Sequence, residues 1–263
     1  MTFQPVIVGS GVAGWQFLQR TYEPQFETFS KSSQLSRDVA YFSENIGEIK
    51  NAEDLVKDRR LLTVALGAFG LQDDVDNRYF IQKILEDGTV SDDALANKLT
   101  DDRYKRLSAA FGFGPAELNA TSNTRKMAEI VDDYKIQSFE VSVGEQNDTM
   151  RIALYAQREL ENLANEDMSE DAKWFTLMGL PPLRSMFETA LGLPAAFGQI
   201  DIDQQQEILR DKTRAITGDD TVAQFLETEN AERMTQLFLA RSQIAEIGSG
   251  ASATANALTL LRS

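Results

Sequence analysis

An all-α fold of two similar multi-helix halves, packed as one compact helical body with flexible termini, is what the sequence predicts, and three observations carry that expectation. Apolar residues recur at three-four spacing along most of the chain. No succession of alternating strands appears. A string opening at Arg59, R-R-L-L-T-V-A-L-G-A-F-G-L, is followed by D-V-D, I-x-x-I-L and D-D-A-L-A-N-K-L, and the same order restarts at Arg184 with R-S-M-F-E-T-A-L-G-L-P-A-A-F-G, D-I-D, I-L and D-D-T-V-A-Q-F-L. An internal duplication usually marks a scaffold whose halves bury against each other.

The expected divisions are a glycine-containing N-terminal arm over 1–24, a first helical half over 25–120, a second over 121–247 and a flexible tail over 248–263. Phe26, Phe29, Leu35, Val39, Phe42 and Ile46 predict one long amphipathic helix over 25–47, ending at Gly47. Asn51, followed by Glu53 and Asp54, reads as an N-cap with acids in the first turn of a helix through Leu66. Gly67 and Gly70 end it. Asp74 or Asp76 caps the next helix, which carries Ile81, Ile84 and Leu85 and stops at Asp87-Gly88. Ser91 opens another, and Asp101-Asp102-Arg103-Tyr104 starts the last helix of the first half, closed by Gly112-Phe113-Gly114-Pro115.

From Thr124 to Asn165 the only breaker is Gly144, so a long helix kinked or interrupted there is expected. Phe139–Val143 alternates as a short strand would, but helix is the preferred reading. The second half runs past Pro181-Pro182 to a last helix, Ala231 to about Ile247. Gly248-Ser249-Gly250 separates it from a small-residue tail.

Composition narrows the function classes. The 263 residues include 41 acidic and 26 basic ones, a net charge of -15, which argues against a nucleic-acid partner because phosphate binding needs clustered Lys and Arg. With no His and no Cys, a Ser-His-Asp triad, a Cys nucleophile and the familiar zinc sites are all excluded. No apolar run reaches membrane-spanning length. The N-terminus lacks the basic region of a cleavable signal peptide, so the expected location is cytoplasmic, or the exterior by a route without a cleaved signal.

Gly9, Gly11 and Gly14 match the dinucleotide motif G-x-G-x-x-G. The context it requires fails, because no second apolar strand follows to deliver an acidic residue to a ribose, and a flexible arm is the reading retained. The pairs around Asp74–Asp76 and Asp201–Asp203 lack the glycine of a calcium loop and read as helix caps. Arg59 and Arg184, and approximately Arg103 and Arg233, occupy equivalent places, where they serve as ion-pair partners for carboxylates rather than as anion ligands. No catalytic residue, metal ligand or cofactor is therefore assigned.

Trp15, Leu18, Tyr22, Phe26 and Phe29 form one terminal stripe and Ile244, Ile247, Ala251, Leu258 and Leu261 another. Trp15, Leu18, Tyr22, Leu258 and Leu261 are the candidate partner-binding residues, with packing of the first stripe on the core as the competing reading.

The strings Y-F-S-E-N-I at Tyr41, D-R-R-L-L-T-V-A-L-G-A-F-G-L ending at Leu71, K-I-L-E-D-G ending at Gly88, A-N-K-L-T-D-D-R-Y ending at Tyr104 and A-A-F-G-F ending at Phe113 resemble the bacterial family called domain of unknown function 1217. T-A-L-G-L-P-A-A-F and D-I-D-Q-Q resemble its second half. The resemblance spans most of 25–245 and implies association with the flagellar apparatus, since members are often encoded among flagellar genes. It transfers no catalytic residue. The expected function is a non-enzymatic flagellar structural or assembly protein with protein partners, able to form homo-oligomers. A cytoplasmic export chaperone or regulator binding a partner helix in a groove is the alternative, with a dinucleotide enzyme using Gly9–Gly14 a third.

Overall fold

The structure, a computed structural model, describes the backbone of residues 3–261 and the side chains of residues 3–247. Among the described residues its regular structure is helix alone, with no β-strand. The helices are α1 Gly11–Ser30, α2 Ser33–Asn45, α3 Ala52–Lys57, α4 Arg59–Ala68, α5 Arg78–Asp87, α6 Leu95–Lys98, α7 Arg103–Phe111, α8 Thr124–Gly144, α9 Asp148–Asn165, α10 Glu170–Met178, α11 Pro181–Leu191, α12 Ile202–Thr217 and α13 Thr228–Leu261. The last helix does not end near Ile247 as expected: α13 continues through Gly248-Ser249-Gly250 to Leu261, while the side chains of 248–263, Leu258 and Leu261 among them, lie outside the described residues.

Local chemistry accounts for most boundaries. Asn51 accepts from Asp54 N at 2.9 Å, and Asn123, Asn147, Ser169 and Asp201 cap α8, α9, α10 and α12 in the same way. Gly88, Gly112, Gly192 and Gly218 follow α5, α7, α11 and α12 with positive φ, the conformation glycine adopts without a Cβ clash. At Gly144 the long apolar run breaks as expected, and Phe139–Val143 is helix, not strand.

Three more expectations change. The single helix over 25–47 is two, because the chain turns extended at Ser32 between α1 and α2. Neither Asp74 nor Asp76 caps α5: Asn77 occupies that place, without a side-chain cap, and donates from Nδ2 to Asp74 at 2.6 Å. The arm 1–24 is helical from Gly11 onward, and α1 continues through Pro24, whose missing N–H leaves only one helical bond unmade.

The chain forms two units, Met1–Val6 with Thr21–Glu145, and Ile7–Arg20 with Gln146–Ser263. The change falls after α8, not at residue 121. The reason is local: in the first unit α4 packs against α2 and α8, and Gly67 lets the Tyr134 ring lie where a Cβ would come within 2.7 Å of it. Phe139, fully buried on α8, meets the rings of Tyr22, Phe26 and Phe29 edge-on at centroid distances of 5.3, 5.7 and 5.5 Å. Such contacts tie α8 to the first unit.

In the second unit α11 packs against α9 and α13, and α10 packs against α11 and α12. Trp174 is fully buried, edge-on to Phe187 at 5.7 Å, and its Nε1 donates to Asp220 O at 2.8 Å. In the first unit α3 packs against α4 and α5 as α10 does here against α11 and α12.

Candidate interaction surface

The glycine motif has a structural use. Gly9 and Gly11 adopt φ of +87° and +57°, turning the extended segment that precedes them into α1. Gly14 lies against that turn: its N–H donates to Ser10 O at 3.2 Å, and a Cβ there would come within 2.7 Å of Gly9 O and 3.0 Å of the Met150 methyl. Gln243 of α13 donates from Nε2 to Ser10 Oγ at 3.3 Å, so a side chain already sits at the start of α1. No strand precedes the motif, which removes the βαβ setting a dinucleotide site needs.

The acidic pairs and arginines form bonds within their own units. Asp201 accepts from Asp203 N at 2.9 Å, as a cap does. Arg59 pairs with Asp76, and its guanidinium holds the Asp76 carboxyl below the usual carboxylate range. Arg184 donates to Glu188 at 2.8 Å and to Gln205 Oε1 at 2.6 Å, so both arginines reach from the start of one helix toward the next. Arg103 grips Asp101 and the Gly70 carbonyl, whereas Arg233 is exposed on α13. Burial, followed by the bond to Asp74 at 2.7 Å, raises the Tyr104 hydroxyl above its ordinary pKa. No three described acidic side chains converge as metal ligands would.

Two surface depressions are lined mainly by charged residues. One is lined by Lys57, Asp58, Arg59 and Arg60, where Asp58 caps α4 and accepts from the Tyr41 hydroxyl at 2.7 Å, and Arg60 lies 3.9 Å from the Tyr41 ring centre. The other is lined by Asp171, Gln206, Arg210, Arg214 and Asp220. There Arg210 bridges Asp171 and Asp220, at 2.5 and 2.9 Å, and Arg214 also donates to Asp220. These bonds, Arg214 foremost and against the opposing effect of burial, lower the Asp220 pKa. In the first cluster Lys57, Arg59 and Arg60 pair outward with Glu53, Asp76 and Asp38, whereas in the second the arginines and Asp171 and Asp220 pair with one another.

The expected partner-binding residues divide. Trp15 is 3% exposed and Leu18 fully buried, so they are core residues and offer no face to a partner. Tyr22 is partly covered by Phe26, stacked at 5.7 Å, and by Phe139. Leu258 and Leu261 lie outside the residues described to the side chain.

α13 shows what remains. Met234, Thr235, Phe238 and Leu239 are buried, whereas Ala240 is exposed and Ile244 and Ile247 are 69% and 66% exposed. At about 100° per residue the two sets centre roughly 175° apart around the helix. The second apolar stripe is therefore not an extension of the packing face. Three-four spacing pointed to Ile244 and Ile247, but their opposition to the buried side depends on which face α9 and α11 cover.

Among the described residues no helix is long and apolar enough to cross a membrane. No curated protein matches the chain. It is similar to the X-ray crystal structure of protein AGR_C_984 from Agrobacterium tumefaciens, with 24% identity and a TM-score of 0.73 over 92% of this chain and 97% of that one, a likeness of fold. The model of the family described as a protein of unknown function, DUF1217, matches residues 68–232, from the end of α4 into α13. With more than half its length matched, the chain belongs to the DUF1217 family.

Proposed function

We propose that this protein is a non-enzymatic structural or assembly component associated with the bacterial flagellum, acting through protein contacts made by the outer face of α13. The observation that carries the reading is the second apolar stripe, Ala240, Ile244 and Ile247, opposite the packed side of that helix. Solvent-facing isoleucines one helical turn apart on a charged protein suit an interface better than a surface left in water. The flagellar setting rests on the resemblance, whose members are often encoded among flagellar genes. Arg59 and Arg60 of the first depression pair with Asp76 and Asp38, and Arg210 and Arg214 of the second with Asp171 and Asp220; cations so engaged favour a binding role over a reaction. Location in the cytoplasm or export to the flagellum without a cleaved signal follows from the same reading.

Deletion of the gene and purification of flagellar basal bodies from cells carrying a tagged chain test it together. Loss of motility and co-purification are expected. Normal swimming with no tagged chain among the basal-body proteins would sink the reading.

A further inference from the structure

We infer that α1 carries, at Thr21 and Gln25, a slot for an extended peptide segment, occupied by residues 3–6 of the same chain and open to exchange for an uncharged segment of a partner protein. The slot belongs to the first unit and the outer face of α13 to the second, so this contact goes beyond the one proposed for α13.

Gln25 is 9% exposed, and its side-chain amide does for Val6 what a neighbouring β-strand would. Oε1 accepts from Val6 N at 2.5 Å and Nε2 donates to Val6 O at 3.1 Å, so one side chain takes both backbone groups of one residue. Nε2 also donates to Thr21 Oγ1 at 2.7 Å, which fixes the orientation of the amide. Main-chain bonds of this kind hold any extended segment that fits, and alternate side chains supply the selection.

The resident segment defines the chemistry of its competitor. Residues 3–6, Phe-Gln-Pro-Val, are extended and uncharged; Pro5 is buried and Phe3 half-buried, whereas Gln4 and Val6 are exposed, the alternation of a strand. A replacing segment needs a backbone N–H at the place of Val6 and apolar residues at the places of Phe3 and Pro5. Among the described residues Phe3, Gln4, Ile7 and Val8 make no hydrogen bond, and a segment attached at so few points opens more readily than a packed helix. Opening alone leaves the buried Gln25 amide short of its bonds to Val6, a cost that a replacing segment removes. A second copy brings the same net charge of -15, which opposes its approach and favours a segment of another protein.

The test uses the full chain and a fluorescent peptide of residues 2–9, TFQPVIVG, followed by anisotropy. The resident segment competes at an effective concentration of about millimolar, so the peptide should bind the wild type weakly. Val6→Pro in the chain removes the N–H that Gln25 accepts, at a position 53% exposed, and should tighten peptide binding about tenfold with unchanged circular dichroism. Adding Gln25→Ala should remove that gain. The peptide carrying Val6→Pro should bind neither chain, a control that needs no change to the protein. A folded Val6→Pro chain that binds peptide no better than the wild type overturns the inference, and so does equal binding of the two peptides. A doubled molar mass of the wild-type chain at about 100 μM, lost with Gln25→Ala, would put a second copy's residues 3–6 in the slot and overturn the assignment to another protein.

None of these outcomes depends on the flagellar reading, which stands or falls on motility and basal-body purification.

Discussion

Replacing Gly14 by Ala separates a structural glycine from a cofactor-binding one, and the sign of the stability change decides between them. Gly14 lies in the first turn of α1, where exchange of Gly for Ala in a helix free of other contacts stabilises by up to about 1 kcal/mol. Here the added methyl would come within 2.7 Å of Gly9 O, 2.9 Å of Gly9 C and 3.0 Å of the Met150 methyl. The Met150 methyl can swing aside; the Gly9 backbone, held in a positive-φ turn, cannot yield without moving the entry to α1. Overpacking of this kind costs about 1–3 kcal/mol against a helical gain of at most about 1 kcal/mol, which leaves a net loss of up to about 2 kcal/mol. Both tryptophans, Trp15 and Trp174, belong to the second unit, so tryptophan fluorescence during urea unfolding reports the unit that contains Gly14. Gly47→Ala, in the first unit and followed by circular dichroism, is the control, since nothing lies within 4 Å of a Cβ there and the exchange should be neutral or mildly stabilising. If Gly14→Ala unfolds at the same or a higher urea concentration than the wild type, the close approach is not what requires the glycine. A dinucleotide site predicts that outcome, together with lost cofactor affinity.

Leu18→Ala should cost about 2.7–5 kcal/mol, the range for a fully buried leucine, and a loss below about 1 kcal/mol in urea unfolding would contradict its place in the core. Removal of residues 1–24 should for the same reason disrupt the second unit, visible as lost cooperativity in thermal unfolding. Asp220→Asn should lower stability at neutral pH by about 1–2 kcal/mol, the low end for bonds to charged groups, because it weakens the grip of Arg210 and Arg214 on the loop beside Trp174. The Asp220 pKa is lowered on folding, so its contribution is full above the unfolded carboxylate pKa of about 3.9 and disappears as pH falls through the lower folded value. The variant should show a shallower loss of stability with acid than the wild type; parallel acid limbs would refute the assignment. Gly67→Ala should destabilise the first unit by about 1–3 kcal/mol through the Tyr134 ring, and an unchanged midpoint by circular dichroism would argue against that packing.

Legibility along this chain follows the range of the interactions. The cap at Asn51, the stop at Gly88 and the left-handed Gly112 are settled by neighbours a few residues away, and each was readable from residue type. The cap of α5 was not, because Asp74 is drawn off by the Tyr104 hydroxyl, thirty positions away, and Asp76 by Arg59. The Gly9–Gly14 string fits a nucleotide motif letter by letter. Its actual constraint, a turn pressed against a helix beside Met150, involves a residue in another part of the chain.

The terminal stripes make the same distinction. Three-four spacing alone identified apolar faces at Trp15–Phe29 and at Ile244–Leu261, and that much is a property of the sequence, since it follows from helical geometry. Whether a face is core or surface depends on what packs over it. Tertiary structure buries Trp15 and Leu18 and leaves Ile244 and Ile247 in solvent, because α13 turns Met234, Phe238 and Leu239 toward the second unit and so directs its other stripe outward. Helical spacing and the ends set by neighbouring residues belong to the sequence; only the packing decided the break at Ser32, the start of α5 and which apolar face stays in solvent, because those depend on residues far along the chain.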